Sequence, residues 1–419
     1  MNTIRQSLLS LTLNEASMTA EKRETAHGRF FLPALGLAVF SVWLVTVTFE
    51  LLLIDIANTF HVQVGTAGFV AAVGSISGIA AGLLLSVISV RFNHKLLLMV
   101  GLACTSVAAV GFFFAPTFDL LLIPNIAVGA GIAMATAMAY SLIGEFYPLE
   151  KRGRAIGWIV AASALTYIIG TPIIGLIASV SNWRATMIWF SLPVALASLV
   201  LVFIAVPKKS NENFAAVKEP FFEGCKQAIL NRSAVAALFV TMFIMAEGSI
   251  SFYAVSFFRS QFAITIALGS IVILVGNVLS AAGGVVAGFF VNRIGRKPLG
   301  TFTCLVAAFL TLSFTFMPSF GLSWGLSALR FWFAGMSFTA SGSLIIEQLP
   351  RFRGPMMSLN AVFMNLGMLL ASVAGGIALD LYGYQTLALI LGGLGVLGAV
   401  VWVTLVRDPC KKQETKFPS

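Results

Sequence analysis

Twelve apolar stretches, each close to the length an α-helix needs to cross a bilayer, constrain this chain more than any other feature. They run Phe31–Ala57, Thr66–Val90, Lys95–Ala115, Leu120–Glu145, Ile156–Val180, Ala185–Val206, Ser233–Phe258, Ala267–Val291, Leu299–Met317, Leu322–Ile346, Pro355–Leu379 and Thr386–Val406. A spanning helix takes about 20 apolar residues. Lipid offers no hydrogen bonds, so each stretch is expected to satisfy its own backbone as a helix. Only 10% of the 419 residues are charged and 58% are hydrophobic, whereas a soluble domain carries about 25% charged residues. The expected fold is an all-α integral membrane protein with twelve transmembrane helices.

The spans fall six and six about a polar stretch, Pro207–Arg232. This predicts an N-terminal tail over 1–30, a first bundle over 31–206, a linker over 207–232, a second bundle over 233–406 and a C-terminal tail over 407–419. The tail before Phe31 lacks the basic, apolar and small-residue pattern of a cleaved signal peptide. With the N-terminus inside, 23 of the 26 lysines and arginines lie on the inner side, Arg184 and Arg259 lie outside, and Arg330 lies within a span. That bias predicts cytoplasmic termini in an inner (plasma) membrane protein. The net charge of +10 therefore reads as topology, not as nucleic-acid binding.

The halves repeat each other. G-F-F-V-N-R-I-G-R-K, Gly288 to Lys297, has a degraded echo in S-V-I-S-V-R-F-N-H-K, Ser86 to Lys95. S-L-I-G-E-F-Y-P-L-E-K-R-G from Ser141 returns as S-L-I-I-E-Q-L-P-R-F-R-G from Ser343, so Glu145 corresponds to Glu347. Two six-helix repeats in the same orientation place a substrate path at their interface, near the bilayer midplane.

This layout resembles the major facilitator superfamily, and its twelve-helix drug:proton antiporter branch in particular. Gly288, Arg293, Gly295, Arg296 and Lys297 match the superfamily's loop signature G-x-x-x-D-R-x-G-R-K; in the first copy Arg91, Phe92 and Lys95 survive. The acid is replaced by Asn292 in one copy and Val90 in the other. Glycine at 288 is expected to permit close helix approach. G-T-P-I-I-G, with Gly170, Pro172 and Gly175, is similar to the antiporter branch's G-P-x-x-G element, which implies a hinge and leak seal between halves. The helix 4 pattern R-x-x-x-G-x-G appears as Asn125, Gly129 and Gly131, without the arginine. The resemblance implies two bundles rocking about a central site, driven by a proton gradient with no bound cofactor.

Buried charge marks the candidate chemistry. Glu50 sits mid-span in the first helix and Glu247 mid-span in the seventh, an offset of 197 close to that of the repeat. An ionisable side chain at mid-bilayer is expensive, by at least about 2.5–3.5 kcal/mol, and normally lines a cavity. Because desolvation penalises charge, membrane carboxylates are suited to loading and releasing protons. Glu50 and Glu247 are thus expected as proton or cation sites, against the alternative of polar anchors between helices. Arg330 either pairs with a glutamate, binds an anionic substrate, or reaches outward. Trp43 and Thr46 share a helical face with Glu50, and Asn365 is a further cavity candidate. Glu145 and Glu347 are expected to hold Arg91 and Arg293 as a latch on the inner side.

No P-loop, H-E-x-x-H or G-x-S-x-G occurs, so the chain reads as neither enzyme nor ATP-driven pump, and no metal spacing is present. The expectation is a monomeric secondary transporter whose partners are a small molecule, protons and lipid. Proton-coupled efflux is favoured. Proton-coupled uptake of a small, possibly anionic metabolite through Arg330 is the alternative, and a non-transporting sensor on the same scaffold is a third reading.

Overall fold

The computed structural model describes residues 29–89, 92–207 and 221–408. The tails and the first part of the linker expected from sequence lie largely outside them, as do Val90 and Arg91. Twelve helices follow in order: α1 Phe31–Phe60, α2 Val64–Leu85, α3 His94–Phe114, α4 Phe118–Phe146, α5 Lys151–Val180, α6 Trp183–Ala205, α7 Arg232–Phe262, α8 Ile266–Val291, α9 Arg296–Phe314, α10 Phe320–Gln348, α11 Arg353–Tyr382 and α12 Tyr384–Leu405. Eleven of these are long and apolar enough to cross a membrane. The remaining one, α10, has 29 residues, the length of its counterpart α4. Arg330 and five scattered serines lower its hydropathy. Before α7, the short helix Phe221–Leu230 packs on α11.

Local chemistry sets the helix ends. The Asn93, Thr117, Asn231 and Thr265 side chains each accept a first-turn backbone N–H, which satisfies donors that a helix start leaves open. Gly295, between α8 and α9, has φ +94°, a conformation that L side chains rarely adopt. In α5 the turn Thr166–Gly170 widens to a π-helix just before Pro172, and α6 does the same over Met187–Ser191 before Pro193. Proline lacks the N–H that the ladder needs, and a wide turn absorbs the gap. The Thr171 hydroxyl donates to the Tyr167 carbonyl beside it.

The repeat is visible in contacts. Lys95 gives Nζ to the carbonyls of Phe203 (2.7 Å) and Val206 (2.5 Å) at the end of α6. Lys297 does the same to Val403 (2.6 Å) and Val406 (2.8 Å) at the end of α12. Each lysine fastens the last helix of its half, because the final carbonyls of a helix have no intrahelical donor.

The distribution of the core shows how the halves meet. One end of the molecule carries both described chain ends and the linker; it is called the terminal end here, and the opposite one the far end. At the terminal end each half has its own apolar core. Phe31, Leu98, Leu142 and Val202 belong to the first half's, and Leu238, Leu299, Leu344 and Trp402 to the second's. Toward the far end the two merge: Phe49, Ile56 and Phe112 share one cluster with Phe252, Phe257, Phe314 and Leu387. Across the seam α1 meets α7, α2 meets α11, and α5 meets α8. The halves are therefore joined at the far end and separate toward the terminal end.

Candidate functional site

A cavity of about 400 Å³ lies between the halves at mid-membrane. The first half contributes Trp43, Thr46, Phe49 and Glu50 from α1, Gly74 and Gly78 from α2, Asn125 and Gly129 from α4, and Tyr167 from α5. The second contributes Ser251, Phe252 and Tyr253 from α7, Asn277 and Ser280 from α8, Arg330, Phe331 and Phe338 from α10, and Asn365 and Ser372 from α11. Trp43, Thr46, Glu50, Arg330 and Asn365, expected from sequence, meet here. The wall is mostly apolar and aromatic with a few convergent polar groups, the usual make-up of a small-molecule site.

Close backbone crossings bring the walls together. A Cβ at Gly129 would collide with the Gly74 carbonyl, and one at Gly335 with the Ser280 carbonyl. Glycine at these crossings lets α2 and α4, and α8 and α10, touch backbone to backbone. A Cβ at Gly288 would meet nothing within 4 Å, so the expectation of close packing there does not hold. The tight approaches of α8 fall one to three turns earlier, at Gly276, Gly283 and Gly284. Gly170 faces Leu44 of α1 in its own half, and Gly175 faces Ser270 of α8 across the seam.

Glu50 has the Tyr167 hydroxyl as its hydrogen-bond partner, at 3.5 Å. No cation of the described residues lies within ion-pair distance of it. Glu247 differs, and the expectation that it matches Glu50 on the cavity wall is corrected. It is 3% exposed and lies behind Arg330, whose Nη1 is 3.2 Å from Glu247 Oε1. Thr311 of α9 donates to the same oxygen. The reason is register. The far ends of α1 and α7, Phe60 and Phe262, stand 202 apart. At that spacing Glu50 corresponds to Phe252, not Glu247, so the two acids sit more than a helical turn out of register and face differently. Each first helix is also interrupted beside its glutamate, at Leu52 in α1 and at Ser249 in α7.

Arg330 is 1% exposed, so it does not reach outward. Its Nη2 donates to Ser251 Oγ at 2.5 Å, and its Cζ lies 4.4 Å from the Phe331 ring centroid. Its Nε has no hydrogen-bond partner among the described residues.

Two locks hold the far end. Arg259 of α7 pairs with Asp55 of α1 through both guanidinium nitrogens, Nη2 to Oδ1 at 3.0 Å. Asp380 of α11 accepts from Gly65 N (2.6 Å) and Thr66 Oγ1 (2.7 Å) at the start of α2. A carboxylate from one half thus caps a helix N-terminus of the other. Asp380 and Tyr167 carry no local sequence signal, since their partners lie 315 and 117 residues away.

Of the latch expected on the terminal side, the Glu347–Arg293 half is not formed. Glu145 pairs with His94 at 2.7 Å and Glu347 with Arg353 at 3.4 Å. Each acid takes a partner from its own half, and Arg293 is exposed. Arg296 and Lys297 lie half-buried on the first turn of α9. Arg91 lies outside the described residues, and so does the side chain of Asn292.

The sequence profile described as Major Facilitator Superfamily matches residues 34–331 and 318–419. The chain belongs to that superfamily. The transporter is 22% identical over 373 residues to the uncharacterized MFS-type transporter YbcL of Bacillus subtilis, covering 86% of this chain and 92% of that one. It is 22% identical over 376 residues to a probable sugar efflux transporter of Helicobacter pylori, covering 86% and 91%. Its match to YfhI, another uncharacterized MFS-type transporter of Bacillus subtilis, is 29% identical over 185 residues, 43% of this chain and 45% of that one. Among solved structures, a nucleoside transporter superposes with TM-score 0.75 at 14% identity, covering 90% of this chain and 98% of the other. A D-xylose–proton symporter superposes with TM-score 0.72 at 19% identity, covering 90% and 97%. The fold is the two-bundle, twelve-helix transporter fold. The protein is a multi-pass membrane transporter of a small molecule, not an enzyme.

Proposed function

We propose that the transporter exports a small amphipathic organic solute in exchange for protons, by alternating access, in the inner membrane with the terminal end cytoplasmic. The observation that carries this is Glu50, a carboxylate without a counter-ion among the described residues on the wall of a largely apolar central cavity. Such a group is neutralised either by a proton or by a cationic solute, because an isolated buried charge is expensive. Competition between the two for one carboxylate is sufficient for antiport. The merged core and two locks at the far end support a state open to the cytoplasm. The bias of 23 of 26 basic residues toward the terminal end supports the orientation.

Glu247 serves here as the counter-ion of Arg330, and its protonation would free that guanidinium. This favours a second reading, proton-coupled uptake of an anionic solute through Arg330. The test is a luminal pH signal in proteoliposomes challenged with a broad solute panel. Export predicts that solutes added on the terminal side move protons the opposite way and that Glu50→Gln abolishes the movement. Uptake predicts proton movement in the same direction as an organic acid, lost in Arg330→Ala but retained in Glu50→Gln.

A further inference from the structure

The cavity carries two charged groups on opposite halves, and they stand at one depth. Glu50 lies ten residues from the far end of α1, Phe60. Arg330 lies ten residues from the far end of α10, Phe320. At 1.5 Å per residue both sit about 15 Å below the far surface. Glu50 presents an acceptor with no cation of the described residues within ion-pair distance. Arg330 presents a donor edge that is only partly used. Its Nη1 is held by Glu247 and its Nη2 by Ser251, while Nε has no partner among the described residues. A guanidinium takes carboxylates in a two-pronged fashion along one edge. Glu247 occupies one side of the fork; the Nε–Nη2 side faces no acid. An orphan donor on a side chain this buried is destabilising unless something binds it.

We infer that the transported solute is a small organic zwitterion with an apolar body, its ammonium received by Glu50 and its carboxylate by the Nε–Nη2 edge of Arg330. The inference rests on the cavity being the substrate site. The apolar body packs against Trp43, Phe49 and Phe331 between the two poles. Ser251 yields its place on Nη2, and Glu247 stays on Nη1, so the buried arginine is never left without a counter-ion. The pair Glu247–Arg330 is neutral by itself and Glu50 is neutral when protonated. The empty cavity thus holds no net charge in its protonated form; the solute's ammonium takes the place of the Glu50 proton, and its carboxylate fills the Nε–Nη2 edge. A solute with the ammonium alone leaves the Nε–Nη2 edge unfilled, and one with the carboxylate alone leaves Glu50 to a proton.

The test compares matched probes on the purified full-length protein in nanodiscs by calorimetry. Phenylalanine, phenethylamine and 3-phenylpropanoate share one skeleton, as do leucine, 3-methylbutylamine and 4-methylpentanoate. The zwitterion of at least one set should bind at least about tenfold more tightly than its amine and its acid. Replacing both members of the pair, Glu247→Gln with Arg330→Gln, should remove the zwitterion's advantage over the amine. Arg330→Lys, which keeps the charge but not the fork, should remove most of it and serves if the double variant does not fold. An amine that binds as tightly as its zwitterion overturns the inference. So does failure of all six probes to displace a solute that moves protons in vesicles. Proton movement with amines but no gain from the carboxylate sinks the zwitterion while export stands. No proton movement with any solute of the panel sinks the export reading itself.

Discussion

The Glu247–Arg330 pair makes a quantitative demand on stability. Both side chains are almost wholly buried, at 4% and 1% exposed. Glu247→Leu would leave Arg330 charged with Ser251 as its remaining partner, and Arg330→Leu would leave Glu247 with Thr311. Breaking a buried pair from one side costs about 3–5 kcal/mol, whereas replacing both members with apolar side chains is often neutral or stabilising. Each single variant should therefore melt lower than wild type by about 3–6 °C, at about 1 °C per kcal/mol for a chain of 419 residues. The double variant should recover most of that loss, giving a coupling energy of about 3 kcal/mol or more. Thermal unfolding of detergent-solubilised protein, followed by tryptophan fluorescence with Ser251→Ala as a control, reads all four. Additive losses, or single variants no less stable than Ser251→Ala, would refute the assignment of Glu247 as the counter-ion.

Weakening the far-end locks should open the cavity from that side. In a chain cleared of native cysteines, Ser75→Cys, at a buried position on the cavity wall, should react faster with an impermeant thiol reagent added at the far side once Asp380→Asn or Arg259→Ala is introduced. Unchanged labelling would mean the locks hold nothing. Gly129→Ala places a methyl against the Gly74 carbonyl and should cost about 1–3 kcal/mol. Gly288→Ala meets open space and should be neutral or stabilising by about 0.5–1 kcal/mol; equal thermal shifts would contradict the crossing geometry. On the linker helix, burial pushes the Cys225 thiol above its ordinary range. The thiolate is the reactive form, so maleimide labelling of Cys225 should stay slow near neutrality and accelerate toward alkaline pH. A rate like that of free cysteine at pH 7 would contradict it.

The architecture was legible because lipid leaves one way to read a long apolar run. All twelve helices lie where hydropathy puts them, even α10 with its buried arginine. Trp43 and Thr46 were found from Glu50 by helical spacing, a purely local rule, and both line the cavity. The position of Glu247 is not legible because a mid-helix offset of 197 differs from the register of 202. The interruption at Ser249 and the spacing of the helix ends reveal the slip, and neither shows in composition. Asp380 and Tyr167 were invisible for another reason. Each acts on a partner more than a hundred residues away, and helix-to-helix distance is set by packing that no single span encodes. Gly288 illustrates the converse. Its motif identifies the scaffold, while the crossings are made by glycines without a named motif.

The central claim is that solute and proton compete for Glu50. Unbuffered, solubilised protein mixed with a solute that moves protons in vesicles should release up to about one proton per bound solute. Glu50→Gln should release none. Full proton release from Glu50→Gln, or solute binding to the wild-type protein with no release at any pH, would contradict it.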